Sequence, residues 1–164
     1  MLSSLGTRRA RLLASALVVA TLTAGCFSGQ SHSSRQVPLP ASGLTREVYD
    51  LVNADRAANG LPALTWNAQL GGLAQSWSET MASTGRFEHS DLDATLASPE
   101  FDGFRRLGEN ILVGSCNMTA AEMEQAWMNS PGHRANILGS FNVIGVGVVC
   151  SGGRVWATQS FGTV

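Results

Sequence analysis

Three side chains in this sequence combine useful chemistry with an isolated setting: His89, Glu109 and His133. Each stands at a break between apolar runs, and groups carried on loops over a rigid scaffold are where binding and catalysis usually lie. Two imidazoles and a carboxylate can share protons or hold a divalent ion. Their spacing is no local motif, being neither H-E-x-x-H nor a paired-cysteine pattern. Taken singly, each histidine also suits a half-buried residue satisfied by backbone, and Glu109 suits a cap on the segment after it. Any shared site has to be assembled by the fold.

The elements that must position these groups are partly legible. Leu44, Val48, Leu51 and Val52 mark an amphipathic helix with Ser42 as its N-cap, closed by Asn59-Gly60 with Pro62 beyond. Leu64 and Trp66 read as a short buried link. Asn67 caps a second helix through Leu70, Leu73, Ala74, Trp77 and Met81 to Gly85. The Gly71-Gly72 pair inside it costs about 1 kcal/mol per residue against Ala and allows another element close. His89 leaves that helix on the run R-F-E-H-S. From Asp91 to Arg106 periodicity is weak, predicting a loop with one turn of helix. Gly108-Glu109-Asn110 precedes a short apolar run, Ile111 to Val113, expected as a short strand or turn.

Thr119 and Glu122 form a capping box for a helix whose apolar face is Met123, Ala126 and Trp127. Pro131-Gly132 breaks it and His133 follows at once, with one more turn expected over Ala135 to Leu138. The chain ends in a hairpin: Asn142 to Cys150, a turn at Ser151-Gly152-Gly153, and Val155 to Phe161 returning. Gly145 and Gly147 leave one strand face bare, open to a helix or a ligand. Helices first and a terminal hairpin last predict an α+β fold with helices packed on an antiparallel sheet.

The chain has 164 residues, 44% hydrophobic and 14% charged, which fits one domain plus a processed end. Arg8, Arg9 and Arg11 precede an apolar run, Leu12 to Leu22, too short for a bilayer. Thr23-Ala24-Gly25-Cys26 resembles a lipobox, although Thr23 stands where Leu is usual. We therefore expect a signal peptide over residues 1–25, a lipidated Cys26 anchoring the protein to the membrane, and a disordered tether over 26–42 rich in Ser, Pro, Gly and Gln. The alternative is an ordinary signal peptide and a freely secreted product. Removing Arg8, Arg9 and Arg11 leaves eight basic against twelve acidic residues, which argues against a nucleic-acid partner. In an exported chain Cys116 and Cys150 are expected to pair, which is worth on the order of 3–4 kcal/mol by chain entropy. We expect a monomer.

Taken in order, the set resembles the CAP superfamily, also called the SCP or pathogenesis-related-1 domain. The carrying residues are His89-Ser90, Gly108-Glu109-Asn110, Ala126-Trp127 leading to Ser130-Pro131-Gly132-His133-Arg134, Ile144-Gly145-Val146-Gly147, and Thr158-Gln159-Ser160-Phe161-Gly162. They span most of 43–164, and S-P-G-H-R-A-N-I-L looks like the bacterial branch. The resemblance implies an α-β-α sandwich with a cleft holding two histidines and acidic residues. In the animal and plant branch a second Glu follows the helix Trp. Here that place is Ser130, and neither Glu122 nor Glu124 fills it. His89 and His133, with Glu109 as a further candidate, therefore imply weak Zn²⁺ binding if any.

Three functions follow. The first is a surface-anchored binding module for an apolar or cell-envelope ligand. The second is a metal-assisted, protease-like hydrolase using the His/Glu cleft. The third is a structural or host-facing protein with a vestigial cleft. For a hydrolase, Ser90 adjoins His89 and Ser130 precedes His133 by three, but nothing resembles a G-x-S-x-G nucleophile elbow.

Overall fold

The computed structural model describes residues 43–164. The signal segment, Cys26, the tether and Ser42 lie outside the described residues. Helices α1 (Leu44–Ala58) and α2 (Ala68–Thr84) flank a two-residue strand, β1 (Thr65–Trp66). Then come α3 (Leu92–Leu96), a 3-10 turn (Pro99–Phe101), β2 (Arg106–Ser115), α4 (Ala120–Met128), α5 (Pro131–Ile137), β3 (Val143–Ser151) and β4 (Arg154–Thr163). The strands form one sheet in the order β1-β3-β4-β2. The β3–β4 and β4–β2 pairs are antiparallel, and β1 adds a short parallel pair to β3. Among the described residues no helix is long and apolar enough to cross a membrane.

Helices cover both faces of the sheet. On one face α2 lies directly on β3. A Cβ at Gly145 would land inside the backbone of Leu70 and Gly71, and one at Gly147 inside that of Ala74 and Gln75. The bare glycine face therefore belongs to a helix, not to a ligand. Ser78 of α2 donates to the carbonyl of Gly147 and bonds Thr158, tying the helix across β3 to β4. On the other face Val48 and Val52 of α1, Met123 and Trp127 of α4 and Ile137 of α5 pack on Ile144, Val146 and Phe161 in one core. The alternation of Ile144, Gly145 and Val146 is what sends bulk to one side and a helix backbone to the other.

Local signals hold where they are strong. Asn67 accepts from the Leu70 amide, and Thr119 with Glu122 closes a complete capping box. The Ser151-Gly152-Gly153 turn joins β3 to β4, with both glycines at positive φ. Cys116 and Cys150 form the expected disulfide, with Cα atoms 5.5 Å apart.

Four readings need correction. Ile111 to Val113 is the middle of a ten-residue strand, not a short strand or turn. Glu109 and Asn110 are buried polar residues in it, so the apolar alternation that marks a strand is missing. The weakly periodic stretch after Asp91 holds a helix capped by the Asp91 carboxylate and a separate 3-10 turn, not a single helical turn. The turn expected over Ala135 to Leu138 is a helix that starts at Pro131, whose ring suits a first helical position. Pro131 thus ends α4 and begins α5 at once. The link at Trp66 is itself a strand.

Arg56 fixes where α5 ends. It is 1% exposed and donates to the carbonyls of Pro62, Ile137 and Gly139 at 2.9, 2.7 and 2.9 Å. A cation on the last carbonyls of a helix satisfies groups that have no partner within it. Burial lowers its pKa.

Candidate functional site

Glu109 is the organising group. It sits on β2, 4% exposed, with its side chain on the α2 face opposite Ser160. One carboxylate oxygen accepts from His89 Nδ1 at 2.7 Å and from the Ser90 amide at 3.0 Å. The other accepts from Ser90 Oγ at 2.7 Å. A buried carboxylate is tolerated where donors surround it, and here three do. With Ser90 donating twice, Glu109 is the acceptor throughout, so His89 Nδ1 carries the proton. The Nε2 then points away from Glu109, on a ring 56% exposed. The same arrangement orients a metal-bound or catalytic imidazole.

His133 arrives from the other side as the third residue of α5. Its backbone carbonyl accepts from Asn110 Nδ2 at 3.0 Å, which pins the first turn of α5 to β2. Asn136, one turn on, donates to the Glu109 carbonyl at 3.1 Å and to Asn110 Oδ1 at 2.8 Å. Both histidines thus hang on two consecutive residues of β2. Burial lowers the His133 pKa, and the neighbouring charge of His89 lowers it further. His133 is therefore neutral at pH 7 and offers a lone pair.

Beside His133 lies a cavity of about 280 Å³, walled by Phe87, Ile111, Val113, Met118 and Trp127, with Ser130 at the start of α5 on its margin. Phe87 is 51% exposed, a large apolar ring left in water at the mouth. The Trp127 indole closes the inner wall by donating to the Ile111 carbonyl at 3.2 Å. A second cavity of about 400 Å³, beside Met128, Arg134 and Leu138, has no histidine in its lining.

The metal reading narrows on this geometry. Among the described residues no group of three or more His, Cys, Asp or Glu is placed to hold an ion. Glu109 is a weaker ligand candidate than its sequence position implies, because all its local donors already occupy it. Two imidazoles remain, one short of the three protein ligands common in catalytic zinc sites. The residues present do not make a complete metal centre, and no chemical step is assigned to a metal here. Ser90 turns its hydroxyl to Glu109 and not to His89, which removes it as a nucleophile.

Two functional neighbours escape a sequence reading. Ser90 figures there as a motif residue and a candidate nucleophile beside His89, yet it makes two of the three bonds to Glu109. Glu124 is 3% exposed, its carboxylate accepting from Gln159 Nε2 at 2.9 Å. A signal for it existed. Ala120, Met123, Glu124 and Trp127 fall at i, i+3, i+4 and i+7, so this carboxyl lies on the buried stripe of α4.

The family model described as the cysteine-rich secretory protein family, CAP, matches residues 49–161. The uncharacterized protein YkwD of Bacillus subtilis is 36% identical over 141 residues, covering 81% of this chain and 52% of that protein. The uncharacterized membrane protein YlbC of the same organism is 33% identical over 122 residues, covering 71% of this chain and 33% of that one. The chain thus spans about half or less of the curated relatives it matches. Among solved structures, an extracellular protein containing an SCP domain from Bacillus anthracis superposes with a TM-score of 0.64 at 31% identity, over 74% of this chain and 41% of that one. With the motifs in order, the three-layer fold and a family match across most of the chain, this protein belongs to the CAP family and is of the bacterial type.

Proposed function

We propose that this is an exported CAP-domain binding module that takes an apolar or cell-envelope ligand in the cleft between His89 and His133. One observation carries the reading. An apolar cavity of about 280 Å³ ends on His133, and an exposed Phe87 stands at its mouth. Ligand sites are concave and mostly apolar, with a few placed polar groups that fix orientation. Here the polar groups in the lining are Ser130 and His133, and the charge of His89, a ring aimed by a buried carboxylate, acts on His133. Export is supported by the segment before Cys26 and by the extracellular relative from Bacillus anthracis. Acylation of Cys26 would hold the module at the membrane as a monomer on its tether. Fatty-acid labelling of the wild type that disappears in Cys26→Ser supports the anchor; equal labelling of both removes it.

The reading is tested by native mass spectrometry of the protein purified from its own envelope. The expected result is a co-purifying small molecule that is lost in Val113→Trp, which fills the cavity. If no preparation carries such a mass, and a hydrolysis screen instead finds an activity that His133→Ala abolishes, the protein is an enzyme and not a binding module.

A further inference from the structure

Glu124 lies on a different helix from His133, yet an unbroken row of side chains joins them. Gln159 Nε2 donates to Glu124 Oε2 at 2.9 Å. Asn110 Nδ2 donates to Gln159 Oε1 at 2.9 Å and to the His133 carbonyl at 3.0 Å. Asn136 then bonds Asn110 Oδ1 and the Glu109 carbonyl. Asn110 and Gln159 are both 0% exposed, directly opposite each other on β2 and β4. The amide orientations are forced: turning Asn110 over would set its oxygen against two carbonyl oxygens.

We propose that Glu124 is a positioning residue for the cleft, held neutral against Asp55 of α1, and that it anchors the Gln159–Asn110 pair that fixes His133. The reason lies in its second oxygen. Glu124 Oε1 is buried and receives no hydrogen bond from any donor. Burial raises the Glu124 pKa, and the Asp55 carboxyl raises it further by its charge and by a side-chain hydrogen bond. A buried carboxyl beside a second carboxyl is driven to keep its proton. With that proton, Glu124 donates to Asp55 and accepts from Gln159, and both its oxygens are satisfied. Without it, a buried charge confronts another carboxylate, and the side chain must move.

No opposite charge relieves this. Arg56, next to Asp55, spends its guanidinium on the carbonyls of Pro62, Ile137 and Gly139. The sheet presents only the neutral amides of Gln159 and Asn110. Burial, more than Asp55, pushes the Glu124 carboxyl up to about 8. His133 titrates below its ordinary range, so the two events occupy separate pH windows.

That His133 matters to a ligand rests on the binding reading above; the linkage itself does not, because it is read on the protein alone. The experiment follows ¹⁵N–¹H signals of the full exported chain from pH 6.8 to 9.5. The side-chain amides of Gln159 and Asn110 and the backbone amide of His133 should share one inflection near pH 8 in the wild type. Glu124→Gln reproduces the neutral acid, donating to Asp55 and accepting from Gln159. It should hold all three signals at their low-pH positions across the range. Glu124→Leu removes the acceptor and should displace the His133 signal at every pH; if it does not fold, Glu124→Gln alone decides. An inflection that survives in Glu124→Gln, that stops at Gln159 without reaching His133, or that is absent from the wild type overturns the proposal.

Discussion

Glu109 and Glu124 are hidden to the same degree, 4% and 3% exposed, and lie on opposite faces of the sheet. Their surroundings differ completely. Glu109 meets donors on both oxygens, from His89 and twice from Ser90. Glu124 meets one donor, one carboxyl and an apolar helix interface. Burial by itself therefore says little about a carboxylate. What decides its state is whether the fold delivers N–H and O–H groups to it or only acceptors and hydrocarbon. Glu109 serves as a fixed acceptor that aims an imidazole; Glu124 serves as a donor while it keeps its proton.

The largest expected effect comes from removing the proton-dependent partner. Glu124 is raised from 4.5 to about 8 in the folded chain. Between those values the folded protein holds a proton that the unfolded chain has released. Stability is therefore fully present below pH 4.5 and is lost as pH rises through about 8. Glu124→Gln should lack this slope. Urea unfolding should find the variant gaining on the wild type by about 1.4 kcal/mol per pH unit across that window. Parallel curves for both proteins would show that the acid is not neutral in the fold.

The opposite pocket is broken by Glu109→Leu. This leaves the Ser90 amide and hydroxyl without an acceptor, and a loss of about 3 kcal/mol is expected. A loss below 1 kcal/mol, measured by the same unfolding, would mean that water replaces the carboxylate and that the pocket is not closed. Ser90→Ala is a smaller cut, removing only the bond to the second oxygen of Glu109. It should cost about 1 kcal/mol and leave the His89 ring in place, visible as an unchanged Nδ1 proton resonance. Loss of that resonance would make Ser90, not Glu109, the group that orients the ring.

The smallest effect concerns metal. Calorimetry should find weak Zn²⁺ binding that vanishes in His89→Ala and fades as falling pH protonates the imidazoles. Ser130 borders the cavity beside His133, so Ser130→Glu should add an anion at that corner and strengthen binding. No gain would show that this position is not part of the ion's surroundings.

Much of this was visible in the chain before any fold. Helix starts at Asn67 and Thr119 and the hairpin turn at Gly152-Gly153 come from short-range patterns, and the pairing of Cys116 with Cys150 from the cysteine count. The full length of β2 did not, because its middle carries Glu109 and Asn110 where a strand signal needs apolar alternation. The residues that make the site are the ones that erase the pattern announcing the strand.

Sequence alone determined which local structures were possible, since caps, turns and a proline at a first helical position act through atoms a few bonds away. It also marked His89, Glu109 and His133 as a set. Only the tertiary structure decided what each does. Glu109 reaches His89 across 20 residues, and Gln159 reaches Glu124 across 35. Whether a carboxyl finds a donor or another acid at such a distance depends on which faces the sheet and helices turn toward each other. No local spacing encodes that, because the partners meet only after the layers have closed.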